Sequence, residues 1–206
     1  TFSTPHGGGG PGSGPVAVNS KLSDYLPSQS IGYDGEKYFF EGISKNTIGK
    51  VHTFYGNFGI LVRAYVYILS LGNKGLKDVA TYAVLNANYL KLLLKKHYHI
   101  PFSKGTLHEF VISASEQKKR GIKAIDIGKA LLDYGFHAPT VYFPTNIPES
   151  IMIEPTETET KETLENFAKT MNEIDMSIDQ KSEYLKQSPY QTPVRRLDET
   201  KANREL

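Results

Sequence analysis

The fold is decided by residues 75–98, GLKDVATYAVLNANYLKLLLKKHY, because their apolar side chains recur at the three- and four-residue spacing of a helix. The recurring positions are Leu76, Val79, Ala80, Ala83, Leu85, Ala87, Leu90 and Leu94. The segment ends in Lys95 and Lys96, and cations suit the negative pole of a helix C-terminus. A helix this long often bridges two lobes, so we expect residues 76–98 to connect two domains.

The segment before this helix has two parts. From about residue 57 a helical pattern runs up to Gly72, a residue type at which helices commonly stop. The apolar positions of this pattern are Ile60, Leu61, Ala64, Tyr65, Ile68, Leu69 and Leu71. Residues 1–57 are rich in Gly and Pro, and Asp34-Gly35 before KYFFEG (37–42) predicts a tight hairpin turn.

Strands and helices alternate after residue 98. HEFVISAS (108–115) and ESIMIEP (149–155) are typical of strands, and AIDIGKALLDYG (124–135) of a helix that ends at Gly135. The next segment, 156–174, predicts a helix with a capping box of Thr156 and Glu159. One face of that helix is apolar: Leu164, Phe167, Ala168, Met171 and Ile174. We expect a compact α+β domain followed, from residue 188, by a polar tail that wraps another surface or stays mobile.

The composition excludes several classes of function. The 206 residues are 39% hydrophobic and 22% charged, as in ordinary globular proteins, and the net charge of +2 with scattered basic residues does not favour nucleic-acid binding. The absence of cysteine removes disulfides and thiol nucleophiles. No apolar run reaches the roughly 18 residues of a membrane span. We therefore expect a cytoplasmic protein without a membrane or nucleic-acid partner.

The glycine-rich opening, TFSTPHGGGGPGSGPVAV (1–18), admits several interpretations. It matches the G-x-G-x-x-G dinucleotide fingerprint, but Pro11 and Pro15 disfavour the helix that this motif requires. His6 and the following glycines resemble the oxyanion loop of esterases, although the chain has no G-x-S-x-G elbow. A flexible linker is the simplest alternative, but prolines stiffen this one.

No other pattern in the chain specifies a reaction. The six histidines form no helix-spaced ligand pair with a carboxylate, so we expect no metal site. The glutamates near residue 160 suit the positive pole of a helix N-terminus. From the residues alone, a non-enzymatic α+β interaction module remains open beside the esterase.

Longer blocks of sequence carry a family resemblance. The blocks are TFSTPHGGGGPGSGP, GNFGILVRAYVYI, YAVLNANYLK, LHEFVISA, DYGFHAPTVYFP, MIEPTETETKETLENF and TPVRRLDE. Together they resemble the glycine decarboxylase (glycine dehydrogenase) of the glycine cleavage system, the P-protein family. The resemblance covers nearly the whole chain, and it is strongest to the C-terminal part of subunit 2 in organisms that split this enzyme into two chains.

The resemblance implies an α/β fold of the fold-type I pyridoxal-phosphate class. Residues 1–75 would be the end of the large cofactor-binding domain, 76–98 an interdomain helix, 99–187 the small C-terminal α+β domain and 188–206 a tail. In the family a lysine in His-Lys-Thr-Phe forms the Schiff base with pyridoxal 5′-phosphate. That lysine would immediately precede Thr1, so this chain alone should be inactive and unable to hold the cofactor.

The resemblance also implies an activity and partners. Family members decarboxylate glycine and transfer the aminomethyl group to the lipoyl arm of H-protein. Subunit 2 would work with glycine dehydrogenase subunit 1 in a heterotetramer.

Candidate site residues follow from the resemblance. Backbone without side chains can approach a flat ring and its phosphate closely, so the candidates for cofactor lining are Thr1, His6, Gly7, Gly8, Gly9 and Gly10. Residues 52–59, HTFYGNFG, could supply phosphate donors from a neighbouring chain through Thr53, Tyr55 and Asn57. A helix cap at Asn57 with Tyr55 in the core is equally consistent with the sequence.

The polar candidates for substrate contact are Arg63, His108, Glu109 and His137. Arg63 could equally form an ion pair or extend from the helix into solvent. Each histidine could instead be an ordinary structural residue.

Overall fold

A computed structural model describes residues 12–205 of the chain. The chain divides into two units, Thr1–Leu76 (unit 1) and Lys77–Leu206 (unit 2). Among the described residues, no helix combines the length and apolar character needed to cross a membrane.

Unit 1 contains a 3-10 helix, Ser20–Tyr25, and a two-stranded antiparallel sheet of β1, Ile31–Tyr33, and β2, Tyr38–Phe40. A helix, α1, follows over Phe58–Leu94 and continues into unit 2. Its backbone is non-helical at Gly72, where φ is +62°. The predicted stop at Gly72 is therefore confirmed, and the helix resumes immediately after it.

The turn between β1 and β2 is the predicted Asp34-Gly35 hairpin. One oxygen of Asp34, Oδ1, accepts hydrogen bonds from the backbone N–H groups of Glu36 and Lys37, both at 2.9 Å. These bonds, that of Lys37 first, hold the pKa of Asp34 below its ordinary value. Gly35 has a φ of +105°, which an L side chain rarely adopts, so the glycine is required there.

The C-terminal half of α1 supplies part of the core of unit 2. Ala87, Leu90 and Leu94 are buried, as the helical spacing predicts. Leu85 was expected on the same face, but it is 58% exposed. The buried face repeats at three and four residues, and Leu85, two residues before Ala87, lies on the opposite side of the helix.

A three-stranded antiparallel sheet forms the centre of unit 2. Its strands are β3, Phe110–Ser113, β4, Thr140–Val141, and β5, Ser150–Ile153, in the order β3-β5-β4. Ile151 of β5 pairs with Ile112 on one side and Val141 on the other. The strands predicted within 108–115 and 149–155 are confirmed.

Four helices accompany this sheet: α2, Ser115–Lys119, α3, Ala124–Asp133, α4, Lys161–Gln187, and α5, Glu199–Arg204. Gly135, with a φ of +78°, follows the end of α3 as predicted. The predicted apolar face of α4 is buried together with residues of α1, α3 and the sheet. The largest fully buried side chains are Leu90, Leu94, Ile112, Ile122, Ile127, Leu131, Ile151, Met171, Ile174, Ile178, Gln117 and Pro189. The expected compact α+β unit with helices on a small sheet is confirmed.

The predicted capping box of α4 is wrong. The helix begins at Lys161, and the N-cap is Thr160, whose hydroxyl accepts a hydrogen bond from the backbone N–H of Thr163 at 3.1 Å. Thr156 instead begins a turn, and its carbonyl accepts a hydrogen bond from the side-chain amide of Asn86 on α1 at 2.8 Å. This tertiary contact holds residues 156–159 outside the helix.

The expectation of a tail that wraps another surface or stays mobile is wrong for residues 188–196. The Asp133 carboxylate at the end of α3 accepts hydrogen bonds from the backbone N–H groups of Tyr190 and Gln191. Arg196 forms an ion pair with the buried Asp126 of α3 at 2.8 Å and donates to the Ser188 carbonyl at 2.7 Å. Two carboxylates of α3 therefore fasten this segment to unit 2 itself.

The revised helix start yields a stability prediction. Thr160→Ala should lower the free energy of unfolding by about 1 kcal/mol, because the N–H of Thr163 loses its cap. Thr156→Ala is the matched control and should cost clearly less, since the Thr156 carbonyl that binds Asn86 is retained. Urea denaturation followed by far-UV circular dichroism measures both. Equal losses would contradict the assignment of Thr160 as the cap.

Candidate functional site

The loop before α1 carries the candidate donors of unit 1. The Thr53 carbonyl accepts the backbone N–H of Gly56 at 3.0 Å, and the Asn57 carbonyl accepts those of Ile60 and Leu61 at 3.0 and 3.2 Å. Asn57 thus occupies the position at which α1 begins, in agreement with the helix-cap alternative. The side chains of Thr53 and Asn57 are exposed.

Tyr55 does not lie in a core. It is 52% exposed, and its ring stacks on that of Phe40 with the centroids 5.6 Å apart. Arg63 is exposed on α1, six residues after Asn57. The remaining cofactor candidates, Thr1, His6, Gly7, Gly8, Gly9 and Gly10, lie outside the described residues.

The other candidate residues lie at one end of the sheet in unit 2. His108 and Glu109 immediately precede β3, and His137 comes shortly before β4. Because β3 and β4 both run antiparallel to β5, they begin at the same end of the sheet. Two strand spacings separate them, about 10 Å. His108 and His137 are exposed and Glu109 is half-buried.

A buried carboxylate network in unit 2 was not anticipated from the sequence. Asp175 of α4 is 8% exposed, and its carboxylate pairs with His97 at 2.9 Å. The same carboxylate accepts hydrogen bonds from Gln117 at 2.7 Å and Arg120 at 2.9 Å. It therefore joins α4 to α2 and to the chain that follows α1.

Arg120 extends this network to the surface. It donates two hydrogen bonds of 3.0 Å to Asp179, one helical turn after Asp175. These bonds raise the pKa of Arg120 and lower that of Asp179. The i,i+4 spacing of the two aspartates, just beyond the helix predicted over 156–174, was the one signal in the sequence.

Glu149 is a second buried carboxylate that joins separate elements of unit 2. Its carboxylate receives the Lys118 ammonium at 2.7 Å and the backbone N–H of Ala124, the first residue of α3, at 2.9 Å. Burial opposes the charged form, but the hydrogen bonds from Lys118 and Ala124 outweigh it and hold the pKa of Glu149 below its ordinary value. An anion at this position also complements the positive pole of α3.

The described residues do not by themselves fit pyridoxal 5′-phosphate. A phosphate dianion needs several converging N–H or O–H donors. The buried side-chain atoms without a partner in the described part of the chain are Gln117 Oε1, Asp133 Oδ2, Asn172 Oδ1 and Ser188 Oγ. Three of these are acceptors, which do not bind an anion, and all lie in unit 2.

No cluster of three or more potential ligands for a metal ion occurs among residues 12–205.

Comparison with known proteins identifies relatives along the whole chain. A family model described as glycine dehydrogenase, C-terminal domain, matches residues 79–195. The chain is 51% identical over 204 residues to a probable glycine dehydrogenase (decarboxylating) subunit 2 of Caldanaerobacter subterraneus subsp. tengcongensis, covering 99% of this chain and 42% of that protein. It is 53% identical over 205 residues to the protein of the same name from Fervidobacterium nodosum, covering 99% and 43%.

A solved structure shares the fold. The crystal structure of glycine decarboxylase (P-protein) of the glycine cleavage system, in inhibitor-bound form, matches with a TM-score of 0.65 at 21% identity. The match covers 84% of this chain and 41% of that one. The described residues therefore share the mixed α/β fold of the matched part of that structure.

The chain belongs to the glycine dehydrogenase C-terminal domain family, which confirms the resemblance noted in the sequence. It spans about 42% of the length of the curated relatives that it matches.

The environment of Glu149 gives a pH prediction. A carboxylate whose pKa is lowered by folding adds stability above its unfolded pKa, and that stability is lost as the pH falls through the folded pKa. Glu149→Gln should therefore lower the free energy of unfolding at pH 7 and reduce its decline below about pH 4.5, the ordinary value. Glu162→Gln, on the exposed first turn of α4, is the control. Parallel pH profiles for Glu149→Gln and the unmodified chain would disprove the role of this carboxylate.

Proposed function

We propose that this chain is the C-terminal part of subunit 2 of glycine dehydrogenase (decarboxylating). In this proposal the whole enzyme releases the carboxyl group of glycine as carbon dioxide. It passes the aminomethyl group to the oxidised lipoyl arm of H-protein, whose disulfide is reduced. One observation carries the proposal: about half of the residues are identical, along 99% of the chain, to proteins named as this subunit.

The proposed cofactor of the whole subunit is pyridoxal 5′-phosphate. When bound, this cofactor would supply an electron sink for the decarboxylation. The lysine that holds it would precede Thr1, and the glycines that follow His6 would let the backbone pass close to the ring. The described residues do not form this site alone, so the preceding polypeptide must supply most of it.

We assign Thr53 and Asn57 a second role, as phosphate donors toward a neighbouring chain. Their side chains are exposed, and the surrounding backbone is fixed by the hydrogen bond from Gly56 to Thr53 and by the start of α1 at Asn57. A hydroxyl and an amide held on one short turn suit an anion. Removing either side chain should weaken cofactor binding without unfolding unit 2.

The substrate carboxylate is the proposed ligand of the polar residues at the end of the sheet. His108, Glu109 and His137 lie just before β3 and β4, the two outer strands of the same small sheet, and at the same end of it. An imidazole N–H there can donate a hydrogen bond to a carboxylate. Arg63 is a further candidate in unit 1.

The proposed domain organisation follows the family. Residues 1–75 end the large domain, 76–98 form the interdomain helix, 99–187 the small domain and 188–206 the tail. The division of the chain after Leu76 supports the first of these boundaries. The name subunit 2 of the relatives implies a partner subunit, and we propose subunit 1 in a heterotetramer, with lipoylated H-protein as the second substrate.

The decisive experiment uses the full-length subunit together with subunit 1 and lipoylated H-protein. We expect exchange of the carboxyl carbon of glycine with labelled bicarbonate. Replacing the residue before Thr1 by alanine should abolish the exchange together with the visible absorbance of the bound cofactor, and this chain alone should show neither. A colourless, inactive full-length protein would instead favour an interaction module, and hydrolysis of activated esters would favour the esterase.

The phosphate role of Asn57 has its own test. In the full-length subunit, Asn57→Ala should weaken cofactor binding by roughly tenfold or more, the effect of losing one hydrogen bond to a charged group. Asn46→Ala is the matched control, because Asn46 is also an exposed asparagine of unit 1. Titration of the cofactor by absorbance measures both variants. An unchanged affinity for Asn57→Ala would remove this residue from the site.

A further inference from the structure

The N-terminal half of α1 presents an uncovered apolar face. Its residues recur at i, i+3, i+4, i+7, i+8 and i+11, which places them on one side of the helix. We call them the 58–69 stripe: Phe58 (60% exposed), Leu61 (46%), Val62 (43%), Tyr65 (63%), Val66 (58%) and Leu69 (63%). The tyrosine hydroxyl is the one polar side-chain group in this set.

The opposite face of the same helix is apolar as well. Ile60 is 8% exposed, and Ala64, Tyr67 and Leu71 are half-buried. A helix with two opposite apolar faces, here separated by Arg63 and Ser70, is stable when both of these faces are buried. The 58–69 stripe therefore lacks the cover that the composition of the helix demands.

The rest of unit 1 also leaves its apolar side chains exposed. Of the large apolar side chains described in residues 12–76, Ile60 alone is buried. The hairpin exposes aromatic rings on both strands, including Tyr38 (76%) and Phe40 (51%). By contrast, α1, α3, α4 and the sheet build a continuous core in unit 2. Unit 1 thus has the composition of a domain interior but no interior of its own among the described residues.

The first eleven residues of the chain offer little apolar material. Their sequence, TFSTPHGGGGP, contains Phe2 as its single large apolar side chain. Polypeptide outside this chain is therefore the better source of cover for the stripe.

We propose that the 58–69 stripe packs against the part of the same subunit that lies outside this chain, an inference that rests on the proposed function. The relatives named as subunit 2 are more than twice as long as the matched region, so each contains ample polypeptide for this purpose. The stripe has no charged residue, which fits a domain interior and differs from the polar surface that a transient partner would contact. A covalently attached cover also acts at high effective concentration.

The test measures thiol accessibility in the full-length subunit. The chain has no cysteine, so Leu69→Cys and Tyr65→Cys each introduce one thiol into this region. Without subunit 1, both thiols should react with a maleimide at least about 100-fold more slowly in the full-length subunit than in this chain alone, because a buried thiol reacts only during local opening. Met176→Cys, 59% exposed on α4, is the control and should react at similar rates in both.

Three results would overturn the proposal. Protection that appears only after subunit 1 is added would assign the stripe to the subunit interface. Protection in this chain alone that increases with protein concentration would assign it to a second copy. Fast labelling in every sample would leave the stripe uncovered. Mass spectrometry of the labelled peptide distinguishes the introduced cysteine from cysteines elsewhere in the full-length subunit. In urea, the introduced thiol should react at the same rate in both proteins, which shows that its intrinsic reactivity is unchanged.

This experiment separates the two proposals. Fast labelling of an enzyme that retains glycine exchange would reject the packing proposal alone. Protected thiols in a full-length protein without exchange activity would reject the proposed function alone.

Discussion

Unit 2 depends on one buried carboxylate. Asp175 receives hydrogen bonds from Gln117 and Arg120 and pairs with His97, so it connects α4 to α2 and to the chain after α1. Next to it, the buried hydroxyl of Tyr98 donates to the carbonyl of Met171 at 2.8 Å, and burial raises the pKa of this tyrosine. A buried charge is tolerated when several donors satisfy it, and removing one partner leaves the others uncompensated. Asp175 is therefore one of the side chains that fix the relative positions of these elements.

The same arrangement recurs at two other places in unit 2. Glu149 and Asp126 are each buried, accept a backbone N–H near the start of α3 and pair with a cation from another segment. Glu149 joins the loop before β5 to α2 through Lys118, and Asp126 joins α3 to the C-terminal segment through Arg196. Unit 2 is thus held by its core and by three carboxylates.

Unit 1 has the opposite character. Its hairpin and the first half of α1 expose apolar side chains that a complete domain would bury. Burying one such side chain contributes about 1.5–3 kcal/mol, so leaving many exposed is unfavourable. This contrast agrees with a chain that spans about 42% of its relatives and belongs to a family of C-terminal domains. The proposed chemistry requires the remaining polypeptide, because the described residues do not assemble a cofactor site alone.

Features governed by local chemistry were predictable from the sequence alone: the hairpin at Asp34-Gly35, the interruption of α1 at Gly72 and the apolar face of α4. The start of α4 at Thr160, the attachment of residues 188–196 and the Asp175 network were not, since each depends on partners distant in the sequence. The candidate residues at the sheet end were named from the sequence, but only strand order shows that they share one end. Helical periodicity determined which faces of α1 are apolar. Tertiary structure decided which of those faces finds a partner, because burial depends on what else is present.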